Sequence, residues 1–234
     1  MRVGVIQSNY LPWRGYFDFI DDVDLFVIHD DLQYTKGDWR NRNRLKAKQG
    51  LQWITVPVHH RHTAQRIDET GIDYSRNWQR EHRNLISAHL GKAPYVRDVL
   101  ELVEPQFDAG HRTISELNVA LLKAVCRYLA IATPLRFSSE LGLTANRTER
   151  LIELVTAVGA TTYLSGPTAR AYLDESRFRD CGIALEYKAY DYASYPQLFG
   201  PFDGSVSILD TIANCGPATR AILKSGTRAT RAAA

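Results

Sequence analysis

Val3-Gly4-Val5-Ile6-Gln7-Ser8-Asn9-Tyr10-Leu11-Pro12-Trp13-Arg14-Gly15-Tyr16-Phe17 decides how the chain is read. Its apolar opening, residues 3–6, has no polar face, as suits a central parallel strand covered on both sides. The run gives way to Gln7, Ser8 and Asn9. Pro12 restricts Leu11 and stops the strand from simply running on. Phe17, Ile20 and Val23 then recur at helical spacing, and a second apolar run, Leu25-Phe26-Val27-Ile28, ends in His29-Asp30-Asp31. The order is strand, polar loop, helix, strand, with polar side chains gathered where both strands end. In parallel α/β sheets those ends face the ligand crevice. Gly15 permits close backbone approach near the helix start, where an anionic group could be held. A tight strand-to-helix turn and nothing more is the alternative.

Further along, residues 50–58 read as a turn and a third strand. Residues 74–102 carry a helical face of Trp78, His82, Leu85, Ile86 and His89, broken near Gly91 and Pro94. Residues 113–130 form another helix, with an apolar stripe running from Ile114 to Leu129. A short strand at 134–137, a helix from Thr148 to Gly159, a strand at 161–167 and another at 183–187 restore the β-α-β alternation. Residues 205–214 read as a capped helix stopped by Gly216-Pro217. The fold expected is α/β: a mostly parallel, Rossmann-like sheet flanked by helices, in one domain spanning 1–234. It carries a mainly helical insertion at about 74–130 and a flexible tail from about 226.

At 44% apolar and 24% charged residues, the composition supports an ordinary globular core. The net charge of +3 is too small to argue for nucleic acid as partner. The three cysteines, Cys126, Cys181 and Cys215, lack metal-type spacing and fit reduced thiols. No h-region follows Arg2, and no apolar run approaches the ~20 residues that span a bilayer. A cytoplasmic protein without membrane insertion is expected.

The most unusual stretch is Arg40-Asn41-Arg42-Asn43-Arg44-Leu45-Lys46-Ala47-Lys48. Its basic residues fall at every second position, which puts them on one face of an extended segment. Arginine suits planar, bidentate recognition of carboxylate or phosphate. A charge-protected edge strand is the structural alternative. His59, His60 and His62 cluster without zinc-type spacing and read as a basic loop, so no metal is expected. Tyr187, Tyr190, Tyr192, Tyr195 and Phe199 interleave with polar residues, as a lid, a sugar-stacking surface or a subunit interface would.

Several of these residues carry a resemblance. Gln7-Ser8-Asn9-Tyr10-Leu11-Pro12-Trp13-x-Gly15-Tyr16-Phe17, Asp30-Asp31-x-Gln33-Tyr34 and Trp39-x-Asn41-Arg42-Asn43 resemble the WbqC-like protein family. So do Val56-Pro57-Val58, Tyr163-Leu164-Ser165-Gly166, Tyr195-Pro196-Gln197 and Ser207-Ile208-Leu209-Asp210-x-x-x-Asn214-x-Gly216. The resemblance implies modification of a sugar or similar small molecule in surface-polysaccharide or specialised-metabolite biosynthesis. Many members have His-Gln-Pro where this chain has Ile6-Gln7-Ser8, so that histidine's role does not transfer. Cys215 stands where many relatives have an aromatic residue. A more distant resemblance is to nucleotidyl-transferring and adenylate-forming α/β enzymes such as pantothenate synthetase. Trp13-Arg14-Gly15-Tyr16 occupies the place of their His-x-Gly-His motif without either histidine.

The leading expectation is a transferase or ligase that attaches an acyl or aminoacyl group to an amino-sugar or related amine. Asp30, Asp31 and His82 are the candidate catalytic groups, the carboxylates as base or amine-orienting group. Arg40, Arg42 and Arg44 are candidates for holding a phosphate or carboxylate, with Trp39 or Tyr195 stacking on a ring. Gln7, Asn9, Tyr10 and Gly15 would shape the crevice floor. Gln33, Asn41, Asn43, Ser165, Gly166 and Gln197 complete the candidate substrate-binding set. The substrate expected is small and anionic, a sugar nucleotide or a carrier-bound acyl donor, and no cofactor is identified. The alternatives are a non-catalytic sugar-nucleotide binding protein and, more weakly, a nucleic-acid-binding protein using residues 40–48.

Overall fold

A computed structural model describes residues 1–232. The opening stretch forms strand β1 (Arg2–Ile6) and helix α1 (Arg14–Asp21), followed by β2 (Leu25–Ile28). Next comes a hairpin of β3 (Arg42–Ala47) and β4 (Gly50–Thr55), then a short pair, β5 (Val58–His59) and β6 (Gly71–Ile72). The insertion supplies helices α2 (Trp78–Leu90), α3 (Val96–Asp108) and α4 (Ile114–Tyr128). Beyond it lie β7 (Leu135–Phe137), α5 (Arg147–Ala157), β8 (Thr162–Ser165), α6 (Glu175–Asp180) and β9 (Ala184–Tyr187). Helices α7 (Ile208–Cys215) and α8 (Thr219–Ile222) and strand β10 (Thr230–Arg231) close the described chain.

The main sheet has the order β10-β9-β8-β1-β2-β7, and every pairing is parallel except that of β10 with β9. From β1 the chain moves outward through β2 to β7, then crosses back to lay β8 and β9 on the other side of β1. The direction therefore reverses between β1 and β8, the position where open α/β sheets bind ligands. The fold is the mostly parallel α/β sheet expected, with the helical insertion in place.

Alternation along the strands explains why both faces are covered. Val3, Val5, Leu25 and Val27 pack with Ile152, Leu154, Val155 and Phe178 on the α5–α6 side. Phe26 and Ile28 face the larger core, with Phe17 and Phe19 of α1 and the apolar stripes of α2, α3, α4 and α7. Gly4 is required at its position. A Cβ there would meet the Phe19 ring at 2.4 Å, so the missing side chain lets α1 press onto β1.

Residues 50–58, read as a turn and a strand, divide between β4, which pairs with β3, and β5 of the small β5–β6 pair, outside the main sheet. The polar and basic residues of β3 make it unsuitable for a position covered on both faces. In the segment from about 226, expected to be a flexible tail, Thr230 and Arg231 pair with Tyr187 and Glu186, and residues 233–234 lie outside the described residues. Arg231 Nε also contacts Glu186 at 3.4 Å. A parallel edge strand leaves backbone groups unpaired, and β10 covers them.

Candidate functional site

The loop that leaves β1 is fixed from three directions. Ser8 donates from its backbone N–H and its hydroxyl to the two oxygens of Asp30, at 2.7 and 2.6 Å. Leu11 sits at φ 44°, a left-handed conformation that an L-residue adopts only when its surroundings demand it. The Asn43 amide supplies that demand by donating to the carbonyls of Tyr10 at 3.1 Å and Leu11 at 2.9 Å. Pro12 accepts at 2.8 Å from the backbone N–H of Ile208, which ties the loop to α7.

Next to this loop is a cavity of about 470 Å³. Asn9, Pro12, Trp13 and Arg14 form one side, Trp39, Asn43 and Arg44 a second, and Tyr190, Tyr192, Phe202, Gly204 and Ser205 the third. Its volume lies in the range typical of small-molecule sites, ~300–1,000 Å³. Trp13 packs edge-on against Tyr190 and Tyr192, with centroids 5.1 and 5.6 Å apart. Gly15 makes room for that indole, since a Cβ would lie 2.4 Å from Trp13 Cζ2. The tight turn accounts for Gly15 without an anion at the helix start.

Arg14 is the principal charged group of this crevice. It is 4% exposed, and its guanidinium lies 4.7, 5.3 and 5.7 Å from the ring centroids of Tyr192, Tyr195 and Phe202. Nη2 donates to the Ala193 carbonyl at 2.8 Å, whereas Nη1 is buried with no hydrogen-bond partner. Burial lowers its pKa from the usual arginine value. Desolvating a cation and leaving a donor unused is costly, so an anionic or carbonyl ligand would be bound strongly there.

Not all the sequence candidates gather here. Asn9, Trp39, Asn43 and Arg44 line the crevice, and Ser8 ties Asp30 to it. Arg40 bonds Gln7 Oε1 at 2.9 Å and also Asn9 Oδ1, so it braces the end of β1. Tyr10 and His82 form a separate buried pair. The tyrosine hydroxyl donates to Nδ1 at 2.8 Å, and Nε2–H donates to the Thr55 carbonyl at 3.1 Å. Burial lowers the His82 pKa to about 4, which makes the ring neutral.

Asp30 is 2% exposed and also receives the Ser115 hydroxyl at 2.5 Å; burial raises its pKa. Asp31 points away, paired with Arg150 Nη2 and the Ser138 hydroxyl, each at 2.5 Å. Tyr195 and Gln197 both donate to Asp210 Oδ1 at 2.7 Å, a buried network behind the crevice. Ser165 is buried at the end of β8, Gly166 opens the turn that follows it, and Gln33 is exposed and bridges Arg66.

The basic stripe divides. Arg42 and Arg44 lie over Trp53 at 4.1 and 5.4 Å, and Arg44 also lies 5.2 Å from Trp39. Lys46 turns to Gln197 Oε1, 2.7 Å away, and Lys48 is exposed at the hairpin turn. Arg42 and Asn41 line a different cavity from Arg44 and Asn43.

The sequence singles out neither Arg14, Trp13 nor Phe202 as a binding residue, and marks Tyr190 and Tyr192 only as part of a segment suited to a lid, a sugar-stacking surface or a subunit interface. The available signals were an arginine between Trp13 and Gly15 just past a strand end, and the aromatic density of residues 187–202. Among the described residues no cluster of His, Cys, Asp and Glu could hold a metal, and no helix is long and apolar enough to cross a membrane.

Comparison with known proteins adds a family. The profile of the WbqC-like protein family matches residues 7–222. "Uncharacterized protein Rv1507c" of Mycobacterium tuberculosis is 45% identical over 218 residues, which cover 92% of this chain and 94% of the relative. No solved structure matches the chain.

Proposed function

The chain belongs to the WbqC-like protein family, and with that as premise we propose that it is a cytoplasmic transferase or ligase whose β1-end crevice binds a sugar nucleotide. The observation that carries this reading is the unpaired Nη1 of Arg14 beside a wall of Trp13, Tyr190, Tyr192 and Phe202. A buried guanidinium suits a phosphate or carboxylate, and aromatic faces suit a sugar or base ring. Arg44, from the hairpin, brings a second cation to the same space.

The reaction proposed is acylation or aminoacylation of an amino-sugar or related amine. The amine nitrogen attacks the acyl carbonyl carbon, a C–N bond forms, the bond to the leaving group breaks, and the amine releases a proton. In this reading Asp30 is a positioning residue that holds the Ser8–Asn9 turn in place. Titration of UDP-glucose and UDP into the purified chain tests the binding half, and mass spectrometry of amino-sugar acceptors incubated with acyl donors tests the chemistry. Saturable binding that Arg14→Gln abolishes, together with an acylated product, is the expected result. Absence of nucleotide binding would overturn the reading.

A second reading is a non-catalytic protein that presents a sugar nucleotide to a partner enzyme. The crevice lining favours it to this extent: it presents aromatic rings, amides, hydroxyls and two guanidiniums and, among the described residues, no carboxylate, imidazole, amine or thiol. Binding without product under every donor condition would select it.

A further inference from the structure

A second cavity, of about 630 Å³, opens across the β3–β4 hairpin from the crevice. The two are separated by a ladder of stacked groups. Arg44 and Trp39 face the crevice, Trp39 touches Trp53 at a centroid distance of 5.4 Å, and Trp53 with Arg42 faces the second cavity. Asn43 and Arg44 therefore serve the crevice, and the preceding pair, Asn41 and Arg42, serves the second cavity.

The second cavity has the features of a built site. Asn41 is 7% exposed, and its orientation is fixed because Nδ2 donates to the Val56 carbonyl at 2.8 Å. Its Oδ1 is left buried without a donor. A buried carbonyl oxygen with no partner is costly, and a ligand hydroxyl or amino group would satisfy it. The lining adds the cations Lys36, Arg42 and Arg76 against the single carboxylate of Glu81. Lys36 and Arg76 are exposed, and among the described residues neither side chain is engaged in a hydrogen bond or ion pair. Val56, Pro57, Val58 and Leu85 provide an apolar floor.

We infer that this cavity is a separate binding site for a phosphorylated small molecule bearing a hydroxyl or amino donor. Arg42, Arg76 and Lys36 hold the phosphate, and Asn41 Oδ1 accepts from the donor. The site stands apart from the sugar-nucleotide reading of the crevice. In a transferase it places a second reactant across a shared wall.

Isothermal titration of the full chain with orthophosphate, AMP and glucose 6-phosphate tests the site. AMP or glucose 6-phosphate is expected to bind more tightly than orthophosphate, because only they offer Asn41 a donor on an organic group. Arg76→Gln and Arg42→Gln should each weaken that binding by about tenfold or more, whereas Trp13→Ala, in the crevice, should leave it intact. Arg76 is exposed, so its variant keeps the fold. Binding of AMP alone identifies a nucleotide as the source of the phosphate, and binding of glucose 6-phosphate alone identifies a sugar phosphate. Three results would overturn the site: no binding of either at millimolar concentration, orthophosphate binding equally well, or sensitivity to Trp13→Ala but not to Arg76→Gln. Loss of UDP-glucose binding in Arg14→Gln but not in Arg76→Gln reports on the crevice separately, so either site can fail while the other stands.

Discussion

The side-chain amide of Asn43 donates to the carbonyl of Leu11 at 2.9 Å, and Leu11 is held at φ 44°. A residue of the hairpin thus fixes the strained turn at the end of β1. Replacing Asn43 by Ala leaves two buried carbonyls short of a donor and should cost about 1–3 kcal/mol. Urea denaturation would measure the loss, and crevice ligands should weaken in the same variant because the turn carries Asn9 and Trp13.

Arg14→Gln should remove most ligand affinity from the crevice while lowering stability by about 1.5–3 kcal/mol, the range for a hydrogen bond to a charged group. Arg14→Lys keeps the charge but loses the planar guanidinium stacked against Tyr192, and should restore only part of the binding. Calorimetric titration of the two variants separates charge from shape. Equal recovery by lysine would show that planarity does not matter.

Gly15→Ala places a Cβ 2.4 Å from Trp13 Cζ2, so the indole must move out of the crevice wall. Overpacking of this kind typically costs about 1–3 kcal/mol. A drop in melting temperature, with a changed tryptophan emission spectrum, is the outcome expected. Unaltered emission would mean that Trp13 does not rest on Gly15 in solution.

His82 links pH to stability. Its pKa is lowered to about 4 in the folded chain, chiefly by burial, whereas an unfolded histidine titrates near ~6.5. The unfolded state therefore takes up a proton first as pH falls, and stability present above the unfolded value is lost between about pH 6.5 and 4. His29, also lowered to about 4 by burial, acts in the same direction. Denaturation midpoints measured across that window should fall with pH, and His82→Gln should flatten the decline. A profile unchanged by His82→Gln would place the proton uptake elsewhere.

Lys188, 3% exposed, lies 2.6 Å from Asp18, which is fully buried, and Asp18 also accepts from the Tyr192 hydroxyl at 2.7 Å. Removing one member of a buried ion pair costs about 3–5 kcal/mol. Lys188→Met should approach the lower end of that range, because Lys224 also lies near Asp18, at 3.5 Å. The double variant Lys188→Met/Asp18→Asn should recover part of the loss in chemical denaturation.

Local patterns made much of the architecture legible. The unbroken apolar runs at residues 3–6 and 25–28 marked strands buried on both faces, and the three- and four-residue spacing of Trp78, His82, Leu85 and Ile86 marked α2. Such signals are carried by neighbours in the chain, so a sequence contains them in full. The polar ends of β1 and β2 likewise pointed to the edge of the sheet beside which the candidate crevice opens.

Only tertiary structure decided which polar groups meet there. Asp30 and Asp31 are adjacent in the turn beyond β2, yet one receives Ser8 and Ser115 while the other pairs with Arg150. Arg42 and Arg44 belong to one stripe but serve different cavities. Arg14, unremarkable in the sequence, becomes the buried cation of the crevice because Tyr192, Tyr195 and Phe202 arrive from almost the far end of the chain. Sequence alone thus determined most of the strands and helices, through local spacing, but not the split of residues 50–58 or the pairing of β10. The site was decided by contacts between distant segments, whose geometry no local pattern encodes.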